Sequence, residues 1–554
     1  MLHHFLETGF EPAVDETLGL EPVQPSTRAY VDLWRQEQSG CEAAFEKWEK
    51  DASGLMSAPT ACQPPSCVPI LPVVREKDRW RYKIYGTAYK VRLCADFKNG
   101  GRNERFSEWK FRYWDLQSVA QRVRRGDWLA KVDISRFYLR LPTGERLRAM
   151  QWFQDPATYA PDSNGNDRLP AHALRYRQLL SVAFGLKPAP AYASAVSAEA
   201  ARILESFGIE VVGLYIDDIL IRGSTREECQ RKLDLAIAIL TALGLPPNEK
   251  TEGPCAPEQG IVFLGVHICT ADGTMTVTAD SQAYACARLQ ELLKAKVATV
   301  KELESVAGIL SWMSQVFIRG QPRRKALFRA ISAMQQRGDN STAIRGDLKQ
   351  CLMWWLNVLR GKPIASSFFW DVQPNMPLIV SDASGEDGWG ACGMGFHVVG
   401  NWPEAWRQSR GPSAPGMLFK ELLPVVVITL LLAPWCSGMV FASALDNAGA
   451  AFVLNALNCN CQWSLALLRP LVDSLSFNRL GLIAGHSYRE FNSHTDEMSH
   501  VIPADLWCDV VQQAPISKTK RMEVHFLVHD MHNNDSFVAS MSFELPSSRG
   551  VSGA

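Results

Sequence analysis

Apolar runs in the first half of the chain predict strands that end in aspartates. Residues 128–134 are mostly apolar and predict a strand with Asp133 near its end. Residues 211–221 hold two apolar, β-branched runs around Asp217 and Asp218, which predict two short strands joined by a turn. The pattern therefore predicts three aspartates at the ends of buried strands.

Helical patterns follow, and strands return in the last third of the chain. The Ala-rich segment 189–206 and the amphipathic segment 227–243 each predict a helix, and Gly244-Leu-Pro-Pro ends the second one. Three more helices are predicted at 300–317, 325–336 and 347–359. A second strand-rich unit begins at residues 378–382, and no internal repeat is evident.

Length and composition predict a folded protein of several domains. The chain has 554 residues, of which 47% are hydrophobic and 21% are charged. At about 150 residues per domain this length corresponds to about three or four domains, and the composition excludes a mostly disordered chain. The 14 cysteines include no CxxC pair, which argues against a zinc finger and indicates reduced thiols in an intracellular protein.

Neither a signal peptide nor a membrane span is predicted. Residues 1–4 contain no basic region followed by an apolar run. The longest mainly apolar run, residues 422–435, is shorter than the roughly 20 residues that a spanning helix needs, so a buried core helix is expected. The expected location is intracellular, in the cytoplasm, the nucleus or both.

The formal net charge of zero hides two oppositely charged segments. Residues 1–50 contain ten acidic and four basic residues, whereas residues 75–150 contain 20 basic and nine acidic residues. Basic and aromatic residues are interleaved in the second segment, which suits a surface that holds phosphates and stacks on bases. A solvated charged face is the alternative. The interleaved residues are Lys83, Lys90, Arg92, Lys98, Arg102, Arg105, Lys110, Tyr82, Tyr85, Tyr89, Phe97, Phe106 and Trp109.

Adjacent carboxylates in a hairpin turn repel each other and favour a divalent cation as counter-ion. Asp217 and Asp218 form such a pair, and Asp133 adds a third carboxylate from another predicted strand. Three carboxylates of this kind could hold two Mg²⁺ ions that align a primer hydroxyl with a triphosphate. An acidic turn without chemistry is the alternative for the pair alone.

Six segments resemble the motifs of reverse transcriptases and occur in the order found in that family. Residues 130–142 resemble motif A, residues 182–190 motif B, and residues 215–218 motif C, the YxDD box. Residues 92–98 resemble the fingers motif, residues 244–250 motif D, and residues 263–266 motif E, the primer grip. The resemblance covers roughly residues 75–330.

The resemblance implies a role for each matching residue. Asp133, Asp217 and Asp218 would hold the metal ions, and Tyr138 would be the steric gate that excludes a ribose 2′-hydroxyl unless it is an ordinary core aromatic. Arg136-Phe137 departs from the acidic-small pair that is common in the family, which puts the local packing in doubt. The implied nucleotide-binding residues are Arg92, Tyr138, Phe184, Gly185 and Lys250, the last with a solvated surface lysine as its alternative.

Four acidic residues in the last third resemble the Asp-Glu-Asp-Asp order of ribonuclease H. The resemblance implies two-metal hydrolysis of the RNA strand of an RNA–DNA hybrid, with a histidine as mobile proton carrier. Each acid alone could instead be a cap, a turn residue or a surface charge. Ala383 breaks the pattern of a pepsin-type loop, so no protease domain is predicted. The implied residues are Asp382, Glu421, Asp446, Asp496 and His486.

Together the resemblances imply an α+β right-hand polymerase with fingers, palm and thumb, followed by an α/β ribonuclease H-like domain. The expected domains are an acidic N-terminal segment and Pro-rich linker (1–72), fingers and palm (73–270), a helical thumb or connection (271–362), the ribonuclease H-like domain (363–512) and an unassigned tail (513–554).

The implied protein is an RNA-directed DNA polymerase with ribonuclease H from a DIRS-type or related long-terminal-repeat retrotransposon. Expected partners are an RNA template, a DNA primer, RNA–DNA hybrid, dNTPs, and a recombinase or integrase encoded elsewhere, with no membrane. The expected cofactor is Mg²⁺ or Mn²⁺, two ions per active site. Two alternatives stay open: a decayed or domesticated copy that binds nucleic acid without catalysis, and an RNA-directed RNA polymerase.

Overall fold

The computed structural model describes residues 10, 12, 28–49, 56–64, 67–98, 102–107, 109–159, 174–248, 256–367, 376–402, 406, 415–487, 521–530 and 535–544. The chain divides into two compact units. The N-terminal unit consists of residues 1–264 and 268–272, and the C-terminal unit of residues 265–267 and 273–554.

The N-terminal unit mixes helices with short strands. Its helices are α1 (Arg28–Gln36), α2 (Gln38–Glu49), α3 (Glu76–Tyr85), α4 (Leu116–Arg122), α5 (Glu145–Ala149), α6 (Ala189–Ser206) and α7 (Arg226–Ala242). Its strands are β1 (Ile70–Val73), β2 (Arg92–Ala95), β3 (Trp128–Asp133), β4 (Trp152–Gln154), β5 (Tyr176–Gln178), β6 (Glu210–Tyr215), β7 (Asp218–Gly223) and β8 (Gly260–Phe263), and β9 (Val266–Cys269) follows along the chain.

The central sheet of the N-terminal unit has three antiparallel strands in the order β3-β7-β6. Leu129, Val132 and Ile219 are buried in or beneath it, and α6 and α7 pack against β6 and β7. Thr225 caps α7 because its hydroxyl accepts the Glu228 N–H at 3.1 Å. The strands predicted at 128–134 and 211–221 and the helices predicted at 189–206 and 227–243 are confirmed.

Residues from the predicted acidic segment and linker contribute to the core of the N-terminal unit. Phe10 stacks on Tyr192 of α6 with 4.1 Å between ring centroids, and its N–H donates to the Pro142 carbonyl at 2.9 Å. β1 pairs with β2, so the end of the predicted linker is part of a sheet. Further buried side chains from this region are Cys41, Phe45, Trp48, Val68 and Ile70.

The C-terminal unit begins with helices and ends with a large sheet. Its helices are α8 (Ala279–Ala295), α9 (Val300–Val316), α10 (Lys325–Arg337), α11 (Gly346–Arg360), α12 (Met417–Leu432), α13 (Ala448–Ala456) and α14 (Gln462–Phe477). Its strands are β10 (Thr274–Val277), β11 (Val297–Thr299), β12 (Ser341–Ala343), β13 (Ala365–Ser367), β14 (Leu378–Ala383), β15 (Gly388–Gly393), β16 (Phe396–Asn401), β17 (Val440–Leu445), β18 (Gly481–His486), β19 (Arg521–Asp530) and β20 (Asp535–Glu544).

The three helices predicted across residues 299–360 are confirmed as α9, α10 and α11. A capping box starts α9, because the Thr299 hydroxyl accepts the Glu302 N–H while the Glu302 carboxylate accepts the Thr299 N–H. Leu310 and Trp355 are buried in the helical part. A 3₁₀ helix, Ile318–Gly320, leads from α9 towards α10.

The large sheet has seven strands in the order β18-β17-β14-β15-β16-β19-β20. β14, β17 and β18 are parallel neighbours, and the remaining pairs are antiparallel. The strand predicted at 378–382 is confirmed as β14. β19 and β20 come from the tail that had no predicted role, and they extend the sheet beyond β16.

An apolar helix packs against this sheet. Residues 417–435 are long and apolar enough to cross a membrane by length and composition alone. Twelve residues of α12 are buried, and the helix contacts β14, β15 and α14. Its burial agrees with the predicted core helix.

Candidate active sites

Asp133, Asp217 and Asp218 lie together where β3 meets the β6–β7 hairpin. Asp133 and Asp218 are directly opposite each other in the antiparallel register of β3 and β7. Asp217 lies in the turn before β7, and its carbonyl oxygen accepts the Ile134 N–H at 2.8 Å. Ile216 closes that turn in a left-handed conformation with φ of 56°. The backbone therefore brings the three predicted aspartates to one end of the sheet.

Two neighbours of these aspartates had no predicted role. Lys131 on β3 places Nζ 3.7 Å from Asp218 Oδ1 and partly offsets the repulsion between the carboxylates. Asn248 donates its backbone N–H to the Asp133 carbonyl at 2.8 Å, and its Nδ2 lies 3.4 Å from Asp133 Oδ2. Lys131 precedes Asp133 by two residues, the spacing of one strand face, and that spacing could have identified it from the sequence.

Arg92, predicted to bind the nucleotide, lies on β2 and interacts electrostatically with Asp217. Burial and the charge of Arg75 lower the pKa of Arg92, whereas Asp78 and Asp217 oppose that shift. Arg92 Nη1 is 3.9 Å from Asp78 Oδ2. The guanidinium is therefore a partly desolvated positive charge near Asp217.

Tyr138, the predicted steric gate, lies beside Phe184. The two ring centroids are 4.8 Å apart at an interplanar angle of 32°. Burial raises the pKa of Tyr138, and the charges of Tyr113, Asp217 and Tyr215 raise it further. The Tyr138 phenol is therefore neutral, its ring packs against Phe184, and it interacts electrostatically with Asp217.

A second carboxylate group lies in the C-terminal unit. Asp382 is the last residue but one of β14, Glu421 lies on α12 and Asp446 follows β17. One ligand atom from each lies within 4.8 Å of the others. The parallel register pairs Val380 with Ala444, so two residues further along it places Asp382 beside Asp446. Asp382 and Glu421 are buried and Asp446 is half-buried.

The charges of this group fit a divalent cation. Burial raises the pKa of Glu421 to about 8, with Asp446 and Asp382 contributing in the same direction. Glu421 Oε2 is buried and has no hydrogen-bond donor among the described residues. Three clustered oxygen donors with an unsatisfied buried oxygen are the donor set that Mg²⁺ or Mn²⁺ takes.

Part of the chain is similar to a known family. Residues 78–268 match the family described as reverse transcriptase (RNA-dependent DNA polymerase). This segment is therefore similar to reverse transcriptase domains. It contains Arg92, Asp133, Tyr138, Asp217 and Asp218, and it ends before the carboxylate group of the C-terminal unit. No curated protein is similar enough in sequence to count as a match.

Three solved structures of the foamy viral protease-reverse transcriptase are similar to the chain at low sequence identity. The form named dRH, in complex with double-stranded DNA, is 13% identical, with coverage of 86% of this chain and 74% of that chain and a TM-score of 0.47. A second complex with double-stranded DNA is 14% identical, with coverage of 86% and 88% and a TM-score of 0.46. The complex with RNA/DNA hybrid is 12% identical, with coverage of 97% and 66% and a TM-score of 0.45.

Gly185 allows two backbone segments to touch. Its φ is +102°, and a Cβ there would lie 2.1 Å from the Ala95 carbonyl oxygen. The Ala95 N–H donates to the Phe184 carbonyl at 2.8 Å, which fixes β2 against this segment. Gly185 was predicted to bind the nucleotide, and in the structure the segment that contacts it is the chain's own β2.

We expect Gly185→Ala to destabilise the N-terminal unit by at least about 2 kcal/mol, because the new Cβ is strained at positive φ and collides with a backbone oxygen. Gly208→Ala is the matched control, since Gly208 has φ of +77° and open space around it. Urea unfolding of both variants measures the difference. Equal losses in the two variants would show that the contact with Ala95 contributes nothing.

The pair Arg136-Phe137 belongs to the described residues, whereas Lys250 does not. Arg136 adopts a left-handed conformation with φ of 53°, and Phe137 is buried in the core. Asp133 lies at the end of β3 although the unusual pair Arg136-Phe137 follows it in the sequence. Lys250 lies outside the described residues.

Lys420, which had no predicted role, anchors the turn after β14. Its Nζ donates to the Gly385 carbonyl and, at 3.3 Å, to the Trp406 carbonyl, and it lies 5.3 Å from the Trp402 ring centroid. The position of Lys420 next to Glu421 in the sequence does not predict its contacts with the Gly385 and Trp406 carbonyls.

His486 and Asp496 complete the predicted residues of the C-terminal unit. His486 ends β18 and is exposed, and the parallel register pairs it with Leu445, the residue before Asp446. The structure therefore places His486 near the carboxylate group. Asp496 lies outside the described residues.

Proposed function

We propose that the chain is a retroelement reverse transcriptase that copies RNA into DNA and hydrolyses the RNA strand of the resulting hybrid. The main support for this proposal is the presence of two separate groups of carboxylates. One group lies where β3 ends and β7 begins, and the other consists of residues from β14, from α12 and from just after β17. We further propose an intracellular enzyme of a DIRS-type or related long-terminal-repeat retrotransposon, whose recombinase or integrase is encoded elsewhere.

In the proposed polymerase site, Asp133, Asp217 and Asp218 would hold Mg²⁺ or Mn²⁺. The bound ions would supply the positive charge that activates the primer hydroxyl and stabilises the leaving pyrophosphate. Lys131 limits carboxylate repulsion, and Asn248 fixes the backbone of Asp133.

The nucleotide would lie against residues of the segment 78–268. Arg92 would neutralise triphosphate oxygens, because its desolvated guanidinium is a strong donor to them. Tyr138, held against Phe184, would occupy the space that a ribose 2′-hydroxyl needs. Gly185 keeps Phe184 and β2 in contact, and Lys250 would neutralise pyrophosphate.

In the proposed nuclease site, Asp382, Glu421 and Asp446 would hold the divalent cations, with Asp496 as a fourth ligand. The bound ions would supply an activated water and stabilise the departing 3′-oxygen. His486, exposed at the end of β18, would carry a proton between the site and solvent. The sheet order β18-β17-β14-β15-β16 and the buried helix α12 support a ribonuclease H-like unit.

The deciding experiment is DNA synthesis on poly(rA)/oligo(dT) with Mg²⁺ or Mn²⁺, together with cleavage of an RNA–DNA hybrid. We expect both activities, and chelation should abolish both. A chain that binds hybrid but performs neither reaction would be a decayed or domesticated copy. Incorporation of ribonucleotides at rates similar to deoxyribonucleotides would favour an RNA-directed RNA polymerase instead.

The pKa of Glu421 predicts how stability depends on pH when no divalent cation is present. Because burial raises this pKa to about 8 from the ordinary value near 4.5, the folded state binds more protons than the unfolded state between these values. Stability contributed by protonated Glu421 is therefore complete below pH 4.5 and is lost as the pH rises through 8.

We expect Mg²⁺ to raise the melting temperature of the C-terminal unit more at pH 8.5 than at pH 5.5, by at least about 4 °C. Glu421→Gln should abolish this pH-dependent gain, whereas Glu304→Gln, an exposed change on α9, should preserve it. Thermal scans in EDTA and in Mg²⁺ measure the effect. A gain from Mg²⁺ that is equal at both pH values would contradict the assignment of Glu421 as a ligand.

A further inference from the structure

Four arginines of the C-terminal unit are neighbours, and two of them pair with one carboxylate. Arg319 belongs to the 3₁₀ helix Ile318–Gly320 and Arg323 to the turn after it. The Asp473 carboxylate on α14 accepts from Arg319 Nε and from Arg323 Nη2, each at 2.6 Å. The other two members of this arginine cluster are Arg329 on α10 and Arg469 on α14.

Electrostatic coupling shows that the four guanidinium groups share one neighbourhood. Arg319 and Arg469 both lower the pKa of Arg323. Arg469 and Arg329 both act on the thiol of Cys351, whose pKa burial raises to about 12. The thiol therefore stays protonated at neutral pH and supplies no counter-charge to the cluster.

The cluster has more positive charge than its neighbours balance. Two of the four guanidinium groups, those of Arg319 and Arg323, pair with the Asp473 carboxylate. Among these five side chains the positive charges exceed the negative by three. Arg329 and Arg469 form no ion pair within the described part of the chain, and the Nε of each is buried without an acceptor there. The excess of positive charge therefore favours an anionic partner.

The geometry of the cluster is fixed but open to solvent. The Arg323 guanidinium lies 4.5 Å from the ring centroid of Trp354, and its Nη1 donates to the Arg319 carbonyl at 2.8 Å. The Arg319 and Asp473 side chains are 40% and 36% exposed, so a ligand can reach them. Planar guanidinium groups held in this way match the oxygens of phosphate groups.

We propose that the arginine cluster binds the phosphodiester backbone of an RNA–DNA hybrid. This inference rests on the proposed function, which supplies the hybrid. The guanidinium groups come from a 3₁₀ helix, a turn and two helices, and this spread suits successive phosphates along a strand better than one small anion.

The test is hybrid binding by fluorescence anisotropy over a range of NaCl concentrations. Full-length protein carrying Asp446→Asn keeps the hybrid intact, and Arg329→Gln and Arg469→Gln are added to it one at a time. We expect each change to weaken binding and to make the slope of log K against log salt shallower by about 0.9. Arg337→Gln is the control on the same helix as Arg329, since its guanidinium is paired with Asp339 at 2.8 Å and is 61% exposed.

A second variant is expected to change hybrid binding in the opposite direction. Asp473→Asn removes the carboxylate that competes for Arg319 and Arg323, so hybrid binding should tighten and its salt slope should steepen. Arg469→Lys keeps the charge and should keep the slope. Unchanged slopes in Arg329→Gln and Arg469→Gln, with melting temperatures like that of the parent, would overturn the inference. So would stabilisation by inorganic phosphate without any change in hybrid binding, because the cluster would then be a site for a free anion.

The same preparations separate this inference from the proposed function. Synthesis and hybrid cleavage are measured on protein without the Asp446→Asn change. If both activities are present but the salt slopes of hybrid binding are unchanged in the arginine variants, only the role of the arginine cluster is contradicted. If the salt slopes change but neither activity is present, the proposed enzymatic function is contradicted and the chain is a nucleic-acid-binding protein.

Discussion

Asp217→Asn is expected to abolish DNA synthesis on an RNA template and to leave cleavage of RNA–DNA hybrid largely intact. The substitution keeps the side-chain shape but removes a negative charge at the turn before β7, where Asp133 and Asp218 lie opposite each other. Loss of a metal ligand costs several kcal/mol of transition-state stabilisation, and about 4 kcal/mol corresponds to about a thousandfold in rate.

Primer extension with labelled deoxynucleotides measures this effect under single-turnover conditions. Asp234→Asn is the matched control, because Asp234 is exposed on α7 in the same unit. Melting temperatures of both variants should stay close to that of the parent chain, which excludes unfolding as the cause. If the Asp217 variant still extends primers within about tenfold of the parent, the polymerase site has been assigned to the wrong residues.

The main elements around the polymerase site could be predicted from local sequence. β3 ends at Asp133 and β7 begins at Asp218, and the register of β6 against β7 follows from the hairpin that joins them. The contact of Gly185 with Ala95 joins residues about 90 positions apart, and no local pattern encodes it. The two-residue spacing places Lys131 on the strand face of Asp133, and the register of β3 against β7 brings its ammonium group to Asp218.

In the C-terminal unit, local sequence patterns predict even less of the candidate site. Asp382, Glu421 and Asp446 are separated by tens of residues, and each has a plain structural alternative when viewed alone. The resemblance grouped them, and the parallel pairing of β14 with β17 supplies the physical reason that two of them meet. The ion pairs of Arg319 and Arg323 with Asp473 span about 150 residues, so sequence patterns could not have predicted the arginine cluster.

The two carboxylate groups differ in how their charge is balanced by the chain itself. Asp218 has the Lys131 ammonium nearby, whereas Glu421 lies buried among two other carboxylates and retains its proton up to about pH 8. A cation must displace that proton before it can bind all three carboxylates, so metal loading of the C-terminal site should improve with rising pH. Hybrid cleavage should therefore depend more steeply on pH than DNA synthesis does.

Asp446→Asn is expected to remove hybrid cleavage by at least about a thousandfold while DNA synthesis stays within about twofold of the parent. Asp446 is the half-buried member of its group, so an amide is tolerated there better than at Asp382 or Glu421. The amide lowers the negative charge that holds the cations and loses one anionic oxygen donor.

Cleavage of end-labelled RNA annealed to DNA measures the loss, and primer extension on the same preparation measures the retained activity. Asp339→Asn is the control, because Asp339 is a surface residue of the same unit whose side chain is 45% exposed. Loss of synthesis together with cleavage, in a variant that melts like the parent, would mean that the two carboxylate groups do not act as separable sites. Retained cleavage would instead exclude Asp446 as a ligand, because the remaining carboxylates would then hold the cations without it.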